Sequence, residues 1–513
     1  MRLVVVFALL AAVVPPAGAA TRSTEPPLPV VVVEGLELAD LERLEARGAV
    51  GLLVPGAGPE TSESLARAAV EHAEARNSLH GGLPEGAVRI RVEEASAIPD
   101  GPVIVLGLPR GGLQANDRRY PIAVLAPGYR GLLTSASTRI AGLVSAVDVA
   151  PTALAEDAAL SSTRAADPVA ELRELDARIR DNGKARQPAS LAAAVAVGLL
   201  GILGLLGVLG ARAAVVGIAA ALLCNLLLGA TGISEPLVTV PLVAGSVLLG
   251  AVAGRLSRLA AGVLLAATVT AYLVTMGLDD RWVALSPLGP SQNARFYGLS
   301  NLLETMLLAP ALVAAAVLGR RFGPLAFAGV ALGSLVAVAG SRFGADGGGA
   351  IVLAAGFAVL AALLVGGGRK AVALAAAGAA AVVVVLALDA ALGPATHVGE
   401  TVSGGPGELA EDLADRVSLS WRRTTARLQD TLVVVLGVAL LAFVGARLRR
   451  LPRERAALPL AFVAAIAVSL VVNDSPVDVT IWGLAGLLAV QTLSSQPGEP
   501  RTASRSTPGT RRP

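Results

Sequence analysis

The sequence is poor in the residues that most often carry metal and redox chemistry. Its 513 residues include one cysteine, Cys224, and three histidines, His72, His80 and His397. A single cysteine cannot form a disulfide within the chain, although the oxidising environment of an exported protein would permit disulfides. So few histidines exclude a His-rich metal site and leave only a site built mainly from carboxylates. We therefore predict no cofactor and expect no divalent metal.

Charged and aromatic residues are scarce as well. Charged residues make up 16% of the chain, whereas a soluble protein has about 25%. The net charge of +3 gives no basic field, so nucleic acid is not an expected partner. What is abundant is apolar: 54% of the residues are hydrophobic and the mean hydropathy is +0.68. This much apolar surface needs lipid as its solvent, and membrane lipids are expected partners.

The apolar half of the chain, from Ala189 to about Leu493, predicts an all-α membrane bundle of about 11 helices, because its apolar runs have the length that crosses a bilayer. The bundle is polytopic, with both short and long connections. The predicted spans lie near residues 190–210, 213–231, 236–254, 258–277, 297–318, 323–340, 347–366, 371–391, 431–446, 456–473 and 477–494.

The chain divides into four predicted parts. Residues 1–20 have the pattern of a secretory signal peptide, in which Arg2 precedes an apolar core and small residues at Ala17–Ala19 allow cleavage. The alternative is an uncleaved first membrane helix. Residues 21–187 form an exported domain with a juxtamembrane helix, and residues 188–494 form the transmembrane domain. Residues 495–513 form a tail rich in Ser, Pro, Thr and Arg that we expect to be disordered and cytoplasmic.

The exported segment alternates strands with helices, which predicts an α/β domain with a mainly parallel sheet. β-Branched and apolar runs mark strands at residues 29–33, 50–54, 88–92, 103–106 and 122–125. Helices are predicted over residues 40–47, 61–75 and 167–184. Thr61 and Asp167 are the predicted N-caps, and Pro168 takes the first helical position. We expect the last of these helices to lie near the membrane surface and to lead into the first span.

Arginine placement predicts the orientation of the bundle. If the signal peptide exports the first domain, arginines fall in every inner connection, as the positive-inside rule requires. These inner arginines are Arg212, Arg255, Arg258, Arg320, Arg321, Arg369, Arg447, Arg449, Arg450, Arg453 and Arg455. We therefore predict a bacterial plasma-membrane protein with residues 21–187 extracytoplasmic and the C-terminus cytoplasmic.

The outer loop near residues 392–430 is the exception to this rule. It also contains arginines, namely Arg416, Arg422, Arg423 and Arg427. The length of the loop weakens the rule, and Leu413–Leu428 has the pattern of an amphipathic helix on the outer surface.

One stretch of the exported segment, YPIAVLAPGYRGLLTSASTRIAGLVSAVDVAPTAL at Tyr120–Leu154, resembles the late core of the alkaline phosphatase and sulfatase superfamily. The pattern G-x-V-x-x-x-D-x-A-P-T of that superfamily matches Gly142–Thr152, with Asp148 in register. VVVVEG at Val30–Gly35 is similar to the superfamily's first strand, and GAGPETSESL at Gly56–Leu65 lies where its Ser or Thr nucleophile is placed. The resemblance covers roughly a third of the chain and implies an alkaline-phosphatase-like fold.

The same resemblance implies that the metal ligands are largely missing. Glu34 stands where the superfamily has its first Asp ligand, and GLPRGGL at Gly107–Leu113 stands where an Asp-His-Gly motif would be. We therefore expect a noncatalytic exported domain. The alternative is a residual hydrolase activity that uses Thr61 or Ser62, against which Thr61 is an ordinary helix cap.

The whole chain, an exported domain followed by many spans, also resembles a family of uncharacterised bacterial multi-pass membrane proteins. LLTSASTR at Leu132–Arg139, GADGGG at Gly344–Gly349 and NDS at Asn473–Ser475 carry that likeness. It implies no function.

Polar residues of the membrane half gather at the predicted outer ends of the helices. Glu304 lies seven residues after Tyr297, so it is roughly 10 Å along the fifth span, with Asn301 one turn earlier on the same face. A carboxylate at this depth is costly unless it is paired, protonated or wetted, which makes Glu304 the candidate catalytic residue. The alternative is a structural hydrogen bond or ion pair, for example with Arg342.

A glycine-rich turn offers a candidate anion site at the same end. Arg342, Asp346, Gly347 and Gly348 lie between the sixth and seventh spans, where the dipole of the seventh helix would attract a phosphate or carboxylate. The alternative is a tight turn with Asp346 as N-cap.

Three further residues complete the predicted outer site. His397 is a candidate proton carrier or a solvated loop residue. Asn473 and Asp474, at the end of the tenth span, are candidate substrate-binding residues or simple helix-terminus residues.

Three functions are compatible with this sequence. The leading prediction is an integral membrane protein of the bacterial cell envelope that handles an anionic or lipid-linked small-molecule substrate at the outer membrane face, beneath a noncatalytic domain. The first alternative is a transporter or flippase, although few polar groups lie below the midplane, where an ion pathway would need them. The second is a scaffold without chemistry that recruits envelope protein partners.

Overall fold

The computed structural model describes residues 27–74, 90–155, 159–290, 296–366, 369 and 406–495. Several predicted features lie outside the described residues. They are the signal peptide at 1–20, the span near 371–391, the loop with His397, and all of the tail beyond residue 495. The described part contains an N-terminal α/β domain followed by a helical region.

The α/β domain is built on a twisted sheet whose central strands are fully buried. The strands are β1 (Val30–Val33), β2 (Ala49–Val54), β3 (Glu60–Thr61), β4 (Val92–Ala95), β5 (Val103–Leu106), β6 (Gln114–Ala115), β7 (Tyr120–Leu125), β8 (Gly131–Ser135), β9 (Leu143–Ser145) and β10 (Leu160–Thr163). Every residue of β2 and β5 is buried, as continuous apolar strands covered on both faces should be.

The main sheet is mixed but mainly parallel, as predicted: six of its eight strands run in one direction, and β7 and β10 run against them. Its order is β10-β8-β2-β7-β5-β1-β4, with β9 also pairing with β2. β1 pairs in parallel with β4 and β5, whereas β7 runs antiparallel to both β2 and β5. The segment between β5 and β7 contains no helix, and the chain reverses there so that β7 pairs directly with β5. β3 and β6 form a separate antiparallel pair.

Short helices cover the sheet. They are α1 (Leu41–Leu44), α2 (Glu63–His72) and α3 (Val149–Ala153), with 3-10 turns at Leu38–Asp40 and Ala146–Asp148. The N-cap of α2 is Ser62, which accepts a 3.2 Å hydrogen bond from Leu65 N. The prediction that Thr61 is this cap is therefore wrong, because Thr61 is in β3 and pairs with Gln114.

A single long helix connects the domain to the helical region. This helix, α4, runs from Pro168 to Leu205, with Asp167 accepting a hydrogen bond from Ala170 N, as predicted. The predicted surface helix and first span are therefore one continuous helix of about 57 Å. Its first half belongs to the domain, since Leu172 and Ile179 join the domain core and Asp176 forms a 2.7 Å ion pair with Arg119.

The remaining helices form a bundle. They are α5 (Ala213–Thr231), α6 (Pro236–Val247), α7 (Leu249–Ala253), α8 (Arg258–Leu278), α9 (Arg281–Ala284), α10 (Asn301–Phe322), α11 (Pro324–Ala339), α12 (Gly347–Val365), α13 (Pro406–Thr425), α14 (Leu428–Leu448), α15 (Arg453–Val472) and α16 (Pro476–Ser495). Within the described residues, nine helices, with α6 and α7 taken as one, are long and apolar enough to cross a membrane. The helical region is that of a multi-pass membrane protein.

The centre of the bundle is α10. Its residues from Leu302 to Ala316 are all buried, and it packs against α8, α11, α12, α15 and α16. By contrast, α11 has only 16 residues and is shorter than each of these nine helices. α13 occupies the region where an amphipathic helix was predicted, and it packs against α14 and α15.

The α/β domain contacts one end of the bundle, here called the domain end. Arg139, in the turn after β8, donates hydrogen bonds to the carbonyls of Ser341 (2.7 Å) and Arg342 (3.3 Å) between α11 and α12. Its guanidinium also lies 3.5 Å from Asp280 and 3.8 Å from the centre of the Tyr297 ring. The domain end therefore includes the start of α10 and the α11–α12 turn.

Candidate functional site

Three helix ends meet beneath the contact with the α/β domain. Glu304 lies in the first turn of α10, after the N-cap Ser300, whose hydroxyl accepts a 3.2 Å hydrogen bond from Leu303 N. Asp346 is the N-cap of α12, and Asn473 follows the last residue of α15. Each of the three residues lies at or near a helix end, and packing of the three helices brings the side chains together.

Glu304 and Asn473 are joined by a buried hydrogen bond. The Asn473 amide Nδ2 donates to Glu304 Oε2 at 2.7 Å and to Ser469 Oγ at 2.8 Å. Glu304 is 0% exposed and Asn473 1% exposed. The partner of Glu304 is thus Asn473 and not Arg342, which sequence reasoning had suggested as an ion-pair partner.

Asp346 lies on the other side of Glu304. Its Oδ1 accepts a 3.1 Å hydrogen bond from Gly349 N, which caps α12. A side chain on Gly349 would lie 2.8 Å from Glu304 Cγ and 3.2 Å from Asp346 Oδ2, so the absence of a Cβ allows the two carboxylates to approach. The charge of Asp346 is the one that acts most strongly on Glu304.

Three oxygen atoms in this group have no hydrogen-bond partner, and we call Glu304, Asp346 and Asn473 the buried oxygen cluster. The atoms are Glu304 Oε1, Asp346 Oδ2 and Asn473 Oδ1. A Cβ added to Gly348 would lie 2.8 Å from Asn473 Oδ1 and 3.4 Å from Asp346 Oδ1. Buried acceptors without donors are costly, so a cluster of three marks a place where a ligand would be stabilised.

Arginines of α13 lie next to the buried oxygen cluster. Arg416 Nη1 would be 3.4 Å from a Cβ on Gly348. Arg423, seven residues further along α13, forms a 3.2 Å ion pair with Asp474, and Asp474 also accepts a 2.5 Å hydrogen bond from Asn301 Nδ2. Asn301, Asp474 and Arg423 therefore form a second polar group beside the first.

Sequence reasoning missed these arginines as site residues, although a signal for them was present. Arg416 and Arg423 were the exceptions to the positive-inside rule, and their spacing of seven places them on one helical face. An arginine that violates a topology rule and recurs on one face of an amphipathic helix is a candidate for a role in a site.

The predicted anion clamp is not assembled in this structure. The side chain of Arg342 is exposed, and the carboxylate whose titration it influences is Asp280, not Glu304. The amides at the start of α12 point toward Asp346, whose carboxylate already occupies the positive end of that helix dipole. Of the predicted set, Glu304, Asp346, Gly348 and Asn473 come together, Asn301 and Asp474 lie beside them, and Arg342 faces away.

The interface above the cluster contains an acid with a shifted pKa. Asp280, at the start of α9, has one carboxylate oxygen, Oδ1, without a hydrogen-bond partner. Burial raises the pKa of Asp280 to about 6, against the attraction of Arg139 and Arg342, which lowers it. This carboxyl therefore changes its charge near neutral pH, within the contact between domain and bundle.

The predicted nucleophile position in the α/β domain lacks catalytic surroundings in the described residues. Thr61 is 2% exposed and its hydroxyl has no hydrogen-bond partner. Glu34, where the superfamily has its first metal ligand, lies 3.6 Å from Arg110 in an exposed ion pair. No group of three or more His, Cys, Asp or Glu residues placed to hold a metal occurs in the described part of the chain.

The residues that match the superfamily pattern have structural roles here. Asp148 accepts hydrogen bonds from Ser137 Oγ (2.5 Å) and Ser145 N (3.0 Å). Thr152 donates to the Asp148 carbonyl at 2.8 Å and accepts from Leu160 N at 2.9 Å. Burial raises the pKa of Asp148, and these hydrogen bonds oppose the shift. These contacts hold the 3-10 turn and α3 in place and join α3 to β10.

Comparison of the chain with protein-family models, with curated proteins and with solved structures finds no match.

Proposed function

We propose that this protein is a multi-pass protein of the bacterial plasma membrane that handles an anionic or lipid-linked envelope substrate at the outer face. The observation that carries the proposal is the carboxylate of Glu304, which is fully buried, has one oxygen without a partner and lies beside Asp346. An ionisable side chain at this depth in a membrane bundle is retained for a function unless a partner explains it.

Arginine placement supports the outer location of this site. Arg320 and Arg321 are in the last turn of α10, the helix whose first turn carries Glu304. Arg447 is likewise in the last turn of α14. By the positive-inside rule these ends are cytoplasmic, so the domain end of the bundle is extracytoplasmic.

The chemistry of the site suits a substrate that carries an anionic group. Arg416 and Arg423 project from α13 beside the carboxylates and replace Arg342 as the candidate anion-binding residues. Arginine presents a planar set of donors that matches phosphate and carboxylate. Glu304, with one bare oxygen, is the candidate acid or base that would act on the bound group.

The α/β domain acts in this proposal as a noncatalytic cover. Arg139 donates to the carbonyls of Ser341 and Arg342 and so ties the domain to the turn above the site. Glu34, at the position where the resemblance would place a metal ligand, pairs instead with Arg110, and Asp148 caps a 3-10 turn.

A transporter or flippase is the second candidate, and the length of α11 favours it. Sixteen residues rise about 24 Å, which is less than the roughly 30 Å hydrocarbon core of a bilayer. The turn that carries Asp346 is then recessed from the surface, as are the broken helices at the substrate sites of transporters.

The test is Glu304→Gln, expressed from the native locus in place of the wild-type gene. We expect the envelope defect of a deletion strain to persist with Glu304→Gln, at a protein level equal to wild type by immunoblot. Glu235→Gln is the matched control, because Glu235 is an exposed carboxylate next to the start of α6, and it should restore the wild-type phenotype. Full rescue by Glu304→Gln would contradict a chemical role and leave a scaffold function.

A second arm separates the two candidates. Purified protein in proteoliposomes would be assayed for translocation of a fluorescent anionic lipid. Translocation by the wild-type protein that is lost in Glu304→Gln supports a flippase. If the wild-type protein translocates no lipid and Glu304→Gln still fails to restore the cells, the result supports action at the outer face.

A further inference from the structure

The three tryptophans of the chain divide into one buried side chain and two exposed ones. Trp482 is 1% exposed, whereas Trp282 in α9 and Trp421 in α13 are 40% and 68% exposed. Both exposed rings lie at the domain end of the bundle. Asp280 of α9 contacts the α/β domain there, and Arg423 of α13 pairs with the segment that follows α15.

Trp282 lies where an apolar surface on α8 gives way to charge. Val274 and Leu278 are one turn apart on α8 and are exposed, so on this span-length helix they face lipid. α8 ends at Leu278, and Trp282 follows within four residues. The residues around it are charged, with Arg281 and Asp279 paired at 2.8 Å. The boundary between lipid and water therefore crosses the chain at Trp282.

α14 shows the same order of side chains on another part of the bundle. Leu428 and Leu432 are exposed on one face at its start, and the helix is long and apolar enough to span. Trp421 precedes it in α13. The Thr431 hydroxyl donates a 2.8 Å hydrogen bond to the Thr424 carbonyl, which holds the end of α13 against the start of α14. Trp421 therefore lies at the border of a second lipid-facing surface.

The opposite end of the bundle has a border without tryptophan in the described residues. Phe322 and Phe443 are exposed there, with the guanidinium of Arg321 5.2 Å from the first ring centre and that of Arg447 5.1 Å from the second. From Leu428 to Arg447, α14 rises about 29 Å, close to the roughly 30 Å hydrocarbon core of a bilayer. The two borders are therefore one bilayer apart.

α13 lies across the ends of other helices and not along the bundle. The Ser420 hydroxyl donates a 3.2 Å hydrogen bond to the Leu470 carbonyl, near the end of α15. Arg423 pairs with Asp474 just beyond that end, and the side chain of Arg416 reaches the start of α12. One face of α13, with spacings of four and three residues, thus meets the ends of two spans. The helix therefore runs parallel to the membrane plane.

The sides of α13 that do not face the bundle differ in polarity. Val417 and Trp421, four residues apart, are exposed on one side, and Arg422 is exposed on another. A helix with an apolar side and a charged side lies at a membrane interface with the apolar side toward the acyl chains. Tryptophan is enriched at that level, because its ring is apolar and its N–H is polar.

We propose that Trp282, Val417 and Trp421 form a lipid anchor surface that binds the interfacial region of the leaflet at the domain end, with α13 lying in the plane of that leaflet. The surface continues the lipid-facing sides of α8 and α14, so phospholipid is its partner. Lipid headgroups then lie level with α13, which carries the candidate anion-binding arginines. The inference stands independently of any action of Glu304.

The first test is quenching of tryptophan fluorescence in the full chain, reconstituted into phosphatidylcholine vesicles. The lipids would carry bromine atoms either close to the headgroup or near the ends of the acyl chains. We expect the wild-type protein to be quenched mainly by the shallow bromines. Trp282→Phe and Trp421→Phe should each lose part of this quenching, and the double variant should lose most of it. The double variant is its own control, because it keeps only the buried Trp482.

Three results of that experiment would overturn the proposal. Quenching by iodide in the buffer, with none by brominated lipid, would show that the two exposed rings lie in water. Stronger quenching by the deep bromines would place them in the acyl core. Protection of both rings from iodide and from lipid would show that a protein partner, such as a second copy of this chain, covers them.

A second test measures the orientation of α13 with nitroxide spin labels. Val417→Cys and Arg422→Cys would be labelled separately in a Cys224→Ser background, because Cys224 is the only native cysteine. We expect the label at position 417 to collide more often with oxygen, which dissolves in lipid. The label at position 422 should collide more often with a water-soluble nickel chelate. The same preference at both positions would place the helix wholly in lipid or wholly in water and would overturn the proposal.

Discussion

Asn473 donates a 2.7 Å hydrogen bond to Glu304 across 169 residues of sequence, and both side chains are buried. The bond joins the end of α15 to the start of α10 at the end of the bundle that the α/β domain covers. Among the described residues it is the one hydrogen bond to the carboxylate of Glu304, since the other oxygen, Oε1, has none. The position of Glu304 therefore depends on Asn473.

Replacing Asn473 should destabilise the bundle through Glu304. Asn473→Ala leaves Glu304 Oε2 without its donor, and an uncompensated buried acceptor costs about 1–3 kcal/mol. Thermal unfolding in detergent at pH 7.5 would measure the loss. Ser469→Ala is the control, because it removes a neighbour of Asn473 but leaves the bond to Glu304 intact, and its effect should be smaller. Equal effects of the two variants would contradict the dependence of Glu304 on Asn473.

Arg139 should hold the α/β domain on the bundle. Arg139→Ala removes donors from the carbonyls of Ser341 and Arg342 and the ion pair with Asp280, so we expect about 1–3 kcal/mol of destabilisation. The measurement is the unfolding temperature of the full chain. Arg130→Ala, one strand earlier and exposed, should change it little. A destabilisation by Arg139→Ala no larger than that by Arg130→Ala would show that the contact does not hold the domain.

Asp280 should give the stability a pH dependence of defined sign. Its pKa in the folded protein is about 6, above its ordinary value of 3.8, because burial opposes the charged form more than Arg139 and Arg342 favour it, with Asp279 adding repulsion. Between these pH values the folded state binds the proton more tightly than the unfolded state. The stabilisation from the protonated carboxyl is thus complete at about pH 4 and is lost as the pH rises through about 6.

The variant Asp280→Asn should remove that dependence. The unfolding temperature measured from pH 4 to pH 7 is expected to change less steeply than in wild type. Asp100→Asn is the control, because Asp100 is fully exposed and its ion pair with Arg47 is 3.9 Å long, and it should keep the wild-type slope. A wild-type slope in Asp280→Asn would rule out Asp280 as the titrating group.

Close packing at Gly229 should forbid any side chain. A Cβ on Gly229, in α5, would lie 1.7 Å from the carbonyl oxygen of Trp282, so Gly229→Ala must shift the backbone and should cost about 1–3 kcal/mol. Gly245 in α6 meets no atom within 4 Å, and Gly245→Ala should be neutral or stabilising by up to about 1 kcal/mol. Unfolding temperatures of the two variants would be compared. Similar values would show that α5 and α9 are not in contact as described.

The architecture could largely be predicted from the sequence, because it depends on periodicity and composition. Continuous β-branched runs such as Val30–Val33 and Val103–Leu106 are strands at almost the predicted bounds, and the apolar runs are helices. The two reversed strands, β7 and β10, could not be predicted, since strand direction depends on which strands pair. Whether Thr61 or Ser62 caps α2 likewise depends on a long-range contact, the pairing of β3 with β6, which places Thr61 in a strand.

The site was partly predictable for a similar reason. Depth along a helix singled out Glu304, and helix-end patterns singled out Asp346 and Asn473, all of which are local properties of the sequence. Which of these meet is a property of the packing of three helices. Arg342 was assigned to the site by proximity in sequence, but its turn directs it away, while Arg416 arrives from a distant helix.

The most direct test of the central claim, that Glu304 and Asp346 face each other in one buried site, is a double-mutant cycle. Glu304→Gln and Asp346→Asn would be combined, and unfolding free energies would be measured at pH 7.5 in a single buffer. Asn keeps the N-cap of α12. If the carboxylates repel each other, the first substitution relieves most of the repulsion and the second adds little, so the effects are non-additive by about 1 kcal/mol or more. Effects that add to within about 0.5 kcal/mol would contradict a shared site.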